Sequence, residues 1–279
     1  MTLPVSPSSL FRLDGFDLIV CQGADAEAFL QAQLSNDIRE LGVRNTQWNA
    51  LLNPQGRVLA LMLLVKISAT ELIVAVAHHR GAALVEALKK FVLRRKLTLS
   101  LDTCRNLYGA AVRTEREGLI LLDLPMADGR ALYLGTSGLP CVSVAAHWRL
   151  QDLQAGIPWL PAAAAERHLP HALALDKLPA ISLKKGCYPG QEIVARTHYL
   201  GRNKRVLCLL RAESNGTAIV PGAQVRDSNQ QLAGELIDAV SSVDGTFALA
   251  VISDGQSNLP LFAQRPDSSV LVMHLAKRF

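Results

Sequence analysis

The chain lacks several things, and each absence excludes a class of protein. No run approaches the ~18–20 consecutive apolar residues that a membrane span requires. The longest candidate, Val58 to Val65, is stopped by Lys66. The start, MTLPVSPSSLFRLDGFDLIV, has no basic segment leading into an apolar run, so no secretory signal is read there. Asp14 and Asp17 argue against a transit peptide. The five cysteines (Cys21, Cys104, Cys141, Cys187, Cys208) are an odd set without a CxxC pair, which points to a reducing compartment. There is no internal repeat and no low-complexity tract. The expectation is a cytoplasmic protein with no membrane partner.

What is present is core material. The 279 residues are 49% hydrophobic and 19% charged, enough for one large or two to three small domains. The net charge of +5 is concentrated. Between residues 184 and 205, Lys184, Lys185, Arg196, Arg202, Lys204 and Arg205 face the single acid Glu192. Such a cluster either attracts an anion or is a solvated basic loop. Only Tyr188 and Tyr199 interleave with it, and no RNA-binding motif accompanies it.

Apolar patterning predicts a strand at 18–21, a short helix opening at Gly23-Ala24-Asp25, and paired buried strands in RVLALMLLV and ELIVAVA. An amphipathic helix with a basic last turn is expected over 82–96, then a half-buried strand at 97–101. A helix around Trp148 to Gln154 should stop at Gly156, followed by an ordered connection over 158–180. After Arg205, short strands alternate with turns such as Ser214-Asn215-Gly216, Asp244-Gly245 and Asp254-Gly255, the texture of a small antiparallel sheet or barrel. The fold class is α+β with an all-β tail. Cys21 and Cys208 sit in apolar runs and read as core filler.

The chemistry is concentrated in Lys185-Gly186-Cys187-Tyr188-Pro189-Gly190-Gln191-Glu192. Two glycines and a proline enforce a tight, irregular turn, with Gln191 and Glu192 opening a short helix. Positive, accessible surroundings favour the thiolate, the form in which cysteine acts as nucleophile or ligand. The competing reading is that Cys187 fills space where the loop packs.

KGCYxGQE is the signature of the YgfZ family, which includes mitochondrial factors for iron–sulfur protein maturation and resembles the T-protein of glycine cleavage, a folate-dependent aminomethyltransferase. The flanks HLPHALALDKLPAISLKKGCYPGQEIVAR and GADAEAFLQAQLSNDI are similar to the family's elements as well. The resemblance implies a three-lobed ring around a central folate pocket, formed by residues 1–204 as two intertwined lobes, with a β-barrel at 205–279. It implies tetrahydrofolate as cofactor, Trp148 and Phe16 as pocket aromatics, and Tyr188, Gln191 and Glu192 as further cofactor contacts. Cys187 is then the working thiol, Lys185 its electrostatic support, and a cluster is ligated only transiently, since one cysteine cannot house one. No resident metal is expected. The competing reading of Trp148 and Phe16 is that both are ordinary core residues.

Two departures matter. The family's Gln and Asn before the signature are His171 and Ala174 here. Where T-proteins carry their catalytic aspartate this chain has Ala60 and Leu61, and no acid occurs from Pro54 through Thr70. That argues against glycine cleavage. The leading expectation is a folate-binding accessory protein for iron–sulfur proteins, with client proteins, cluster carriers and tRNA-modifying enzymes as partners. A folate-dependent one-carbon transferase of unknown substrate and a tRNA-binding modification factor stay open.

Overall fold

In the computed structural model, which describes residues 10–122, 129–139, 141, 145–201, 204–213, 219–256 and 260–279, fifteen strands form three sheets. The first part of the chain runs β1 (Phe11–Arg12), β2 (Phe16–Gln22), α1 (Ala26–Gln33), β3 (Thr46–Leu52), β4 (Val58–Lys66), β5 (Glu71–Ala77), α2 (Gly81–Lys89) and β6 (Thr98–Leu101). Then come β7 (Arg105–Ala110), β8 (Leu119–Leu122), β9 (Ala131–Thr136), α3 (Ala145–Ala155) and α4 (Gln191–Leu200). The tail is β10 (Arg205–Ala212), β11 (Gln224–Arg226), β12 (Leu232–Ser242), β13 (Gly245–Ser253), β14 (Leu261–Gln264) and β15 (Val270–Arg278). Arg202 and the expected turn at 214–216 lie outside the described residues.

The first sheet has the order β3-β4-β5-β2-β6, all antiparallel. Its central strands read as unbroken apolar runs because both faces are covered. In β4, Ala60, Met62 and Leu64 point to the side of α1 and α2, while Leu61, Leu63 and Val65 point to the centre of the molecule. β5 divides in the same way, with Leu72, Val74 and Val76 against Ile73 and Ala75. The second sheet, β1-β7-β9-β8, has no counterpart in the sequence reading.

The third sheet is a closed barrel, β10-β13-β12-β11-β14-β15. Strand alternation gives it two apolar sides. Val206, Cys208, Leu210, Ala248, Ala250 and Ile252 fill its own core. Leu207, Leu209, Ile237, Leu249 and Val251 join a central core shared with Leu61, Leu107, Leu132, Trp148 and Leu173. The barrel is thus packed on its outside as well as filled.

The expected helix over 82–96 is shorter. α2 ends at Lys89, and Leu93 takes a left-handed φ of 47° with its side chain in solvent. Continuing the helix would stack Lys90 on Arg94, a like-charge pair one turn apart. Among the described residues, no helix is long and apolar enough to cross a membrane.

Candidate functional site

The cysteine loop is built on the end of α1. A helix C-terminus leaves its last carbonyls without intrahelical donors, and α1 has no basic residue in its last turn. Lys185 supplies the charge from a distant part of the chain. Its ammonium donates to the carbonyl oxygens of Gln31 (2.6 Å), Leu34 (2.5 Å) and Asn36 (2.8 Å). Neighbouring bonds staple the same two segments. Ser35 Oγ donates to Ala180 O, Asn36 Nδ2 to Pro179 O, and the Ser182 amide to Ser35 O.

This placement gives Lys185 a structural task. The side chain is buried, and burial pushes its ammonium down to about 8. An ammonium has three donors, and three carbonyls receive them, so Lys185 anchors the loop. Of the two adjacent lysines, Lys184 is the exposed one.

On this anchor the loop divides into an outer and an inner side. Cys187 is exposed. Tyr188, next to it, is buried with its ring 5.3 Å from Lys185 Nζ. Its hydroxyl has no hydrogen-bond partner among the described residues, and burial pushes the phenol up to about 12. Gln191 turns inward too, donating its amide to Lys185 O at 3.2 Å. Both therefore hold the loop together, whereas Glu192 lies exposed on the first turn of α4. Gly190 precedes α4 at φ 78°, a left-handed position that favours glycine.

The pocket aromatics separate into two environments. Trp148 is only 3% exposed. Phe11 meets its ring edge-on at 5.6 Å, and the Arg130 guanidinium lies 4.3 Å from its centroid. Arg130 is itself paired with Asp152 at 2.7 Å, both side chains buried, and Asp152 accepts the Trp159 indole N–H at 2.9 Å. Trp148 is therefore packed in the core, with the Arg130 cation over its ring. Phe16 is half-buried and meets Trp159 edge-on at 4.9 Å and 88°. Trp159 in turn packs on Trp48 at 5.2 Å, and its carbonyl oxygen lies 3.2 Å from His78 Nε2. Arg149, paired with Asp238 of the barrel, joins α3 to β12 beside His78. Trp159 was missed in the sequence although it directly follows the Gly156-Ile157-Pro158 stop.

Ala60 and Leu61 are both buried in β4. His198 points its Nδ1 at His171 Nε2, 3.4 Å away, and stacks edge-on with Tyr199. Among the described residues no group of three His, Cys, Asp or Glu side chains could hold a metal ion. The loop can offer one thiol to an incoming partner.

No family model matches the chain. The aminomethyltransferase T of the glycine cleavage system from Bartonella henselae superposes with a TM-score of 0.73, covering 96% of this chain and 84% of its own at 16% identity. The architecture is the T-protein fold: α+β sheets followed by a closed antiparallel barrel. A Haemophilus influenzae protein described only as uncharacterized is 32% identical, over 88% of this chain and 89% of its own length. The tRNA-modifying protein YgfZ of Enterobacter sp. (strain 638) is 27% identical over 95% of this chain and 91% of its own. The chain belongs to the YgfZ family.

Proposed function

We infer that this protein is a cytoplasmic folate-binding accessory factor that supports iron–sulfur proteins, and through them tRNA modification, by way of Cys187. One observation carries the reading: Cys187 is exposed on a loop held from the inside, by Lys185 through three carbonyls and by the buried Tyr188. A thiol held outward on a fixed platform is suited to meeting another macromolecule. A cluster commonly takes four thiolates, so the cluster is cargo, with Cys187 as one ligand and the client or carrier supplying the rest.

The residues present fit a folate. Phe16 offers an apolar ring face at partial exposure beside Trp159, suited to a flat pterin. Bound tetrahydrofolate would supply one-carbon or reducing chemistry; the protein's part is to hold it. The buried apolar pair Ala60 and Leu61 speaks against an aminomethyl transfer at that position, because neither side chain can move a proton. The test pairs tetrahydrofolate titration by tryptophan fluorescence with complementation by Cys187→Ala in a host depleted of the native factor. The variant should bind folate and fail to restore an iron–sulfur enzyme. Full complementation would overturn the reading.

A further inference from the structure

A cleft of about 310 Å³ opens between the connection after α3 and the outside of the barrel. It is lined among others by Arg57, Arg167, His168, Arg205, Glu235 and Ser253. At its base lie two buried groups with unsatisfied atoms. His168 is 3% exposed, and among the described residues neither ring nitrogen has a hydrogen-bond partner. Glu235 Oε1 lies 4.0 Å from His168 Nε2, also without a hydrogen bond, while Oε2 holds Arg167 at 2.8 Å. An unpaired buried polar atom costs roughly 1–3 kcal/mol, so two such residues in the lining of one cleft point to a polar occupant.

The backbone holds this arrangement in place. Val58 donates to His168 O at 2.9 Å and accepts from the Glu166 amide at 2.8 Å, so the 166–168 segment lies along β4. Arg57 donates to Arg167 O at 2.7 Å, which fixes a guanidinium at the mouth. Glu166, on the rim, is engaged by Asn53 at 3.0 Å. Burial, then Arg205, Arg167 and Arg57, push the His168 imidazole down to about 4. The ring is thus neutral at physiological pH, with one N–H and one lone pair to offer.

We propose that the cleft is a second ligand site that takes a small phosphate monoester, its phosphate on Arg57 and Arg205 and a neighbouring hydroxyl on His168 and Glu235. A planar carboxylate is matched by a single guanidinium fork, whereas Arg57 and Arg205 together, with Arg167 held by Glu235, suit a tetrahedral anion with more acceptor oxygens. A hydroxyl is donor and acceptor at once, the group that satisfies an imidazole and a carboxylate together. The volume lies at the small end of ligand sites. A free sugar phosphate and the 5′-phosphorylated end of an RNA present the same chemistry.

Calorimetric titration of the full chain with ribose 5-phosphate tests the site. Ribose and citrate should bind about tenfold more weakly or worse, and the double variant Arg57→Gln, Arg205→Gln should lose about tenfold or more in affinity. Both arginines are exposed, so this variant is expected to fold, and circular dichroism checks it. Glu235→Gln should weaken ribose 5-phosphate more than inorganic phosphate. An RNA that binds about tenfold more tightly with a 5′-phosphate than without, and more tightly than ribose 5-phosphate, assigns the site to RNA ends; parity with ribose 5-phosphate assigns it to the free ester. Tetrahydrofolate affinity should not change in the double variant, which keeps this result separate from the folate reading. No saturable heat with ribose 5-phosphate, equal binding of citrate, or equal affinity in the double variant would overturn the proposal.

Discussion

Gly190 and Gly56 touch backbone to backbone. A methyl group on Gly190 would lie 2.6 Å from the Gly56 Cα and 2.6 Å from the Asn53 carbonyl oxygen. One on Gly56 would meet Ile193 Cβ at 2.9 Å. The turn between β3 and β4 is therefore pressed into the cysteine loop, and both glycines hold left-handed φ, 78° and 72°.

Replacing Gly190 by alanine combines strain with a backbone clash, neither of which a side-chain rotation can relieve. Gly190→Ala is expected to lose roughly 2 kcal/mol or more in urea unfolding. A change below about 0.5 kcal/mol would mean the two loops do not meet this way.

Lys185→Met keeps the aliphatic length and removes the ammonium, leaving the carbonyls of Gln31, Leu34 and Asn36 without their donor. The expected loss is about 2–4 kcal/mol. Lys185→Arg should rescue it poorly, because a planar fork cannot aim at three converging oxygens. Full recovery with arginine would show that charge alone matters.

Alkylation should sort the thiols by burial. Burial pushes Cys21 and Cys208 up, to about 12 and about 11. Pulsed labelling followed by mass spectrometry should modify exposed Cys187, Cys104 and Cys141 long before those two. Exposure does not set Cys187 apart from Cys104 and Cys141, so function must: only Cys187→Ala should fail to support an iron–sulfur enzyme while melting near the wild-type temperature. Failure of Cys104→Ala as well would move the working thiol.

Phe16→Ala is expected to weaken tetrahydrofolate binding by roughly 1–3 kcal/mol with a modest effect on stability. Trp148→Phe should behave in the opposite way, destabilising the fold while folate affinity holds. If the two variants exchange these effects, the ligand lies against Trp148 after all.

His168 makes the fold sensitive to acid. A base whose pKa is lower when folded lets the unfolded chain take up a proton first, so stability is lost as pH falls from the ordinary histidine value toward about 4 and is constant below that. His168→Gln should flatten this part of the profile by roughly 1–3 kcal/mol relative to wild type. Parallel profiles for the two proteins, measured by urea unfolding between those limits, would show that the imidazole titrates normally.

Much of this architecture is readable in the residues, and the parts that are not have physical reasons. β4 and β5 stand out because coverage on both faces leaves uninterrupted apolar runs. The cysteine loop stands out because glycine is required where backbones touch. By contrast β7, β8 and β9 are short and half their pattern is supplied by their neighbours. Two adjacent lysines look alike in sequence, and only the position of the α1 terminus decides that Lys185 turns inward. Likewise the partner of Phe16 is Trp159, which no local pattern can indicate because the contact joins β2 to the segment after α3.

The barrel's second apolar side has a consequence for how the molecule comes apart. Closing the strands into a cylinder satisfies their hydrogen bonds, but Leu207, Leu209, Ile237, Leu249 and Val251 still need the central core to cover them. Residues 205–279 on their own would carry a sticky stripe and self-associate. The same stripe ties the fate of the barrel to that of both other sheets, so heating should give a single calorimetric peak, with no lobe surviving its neighbours.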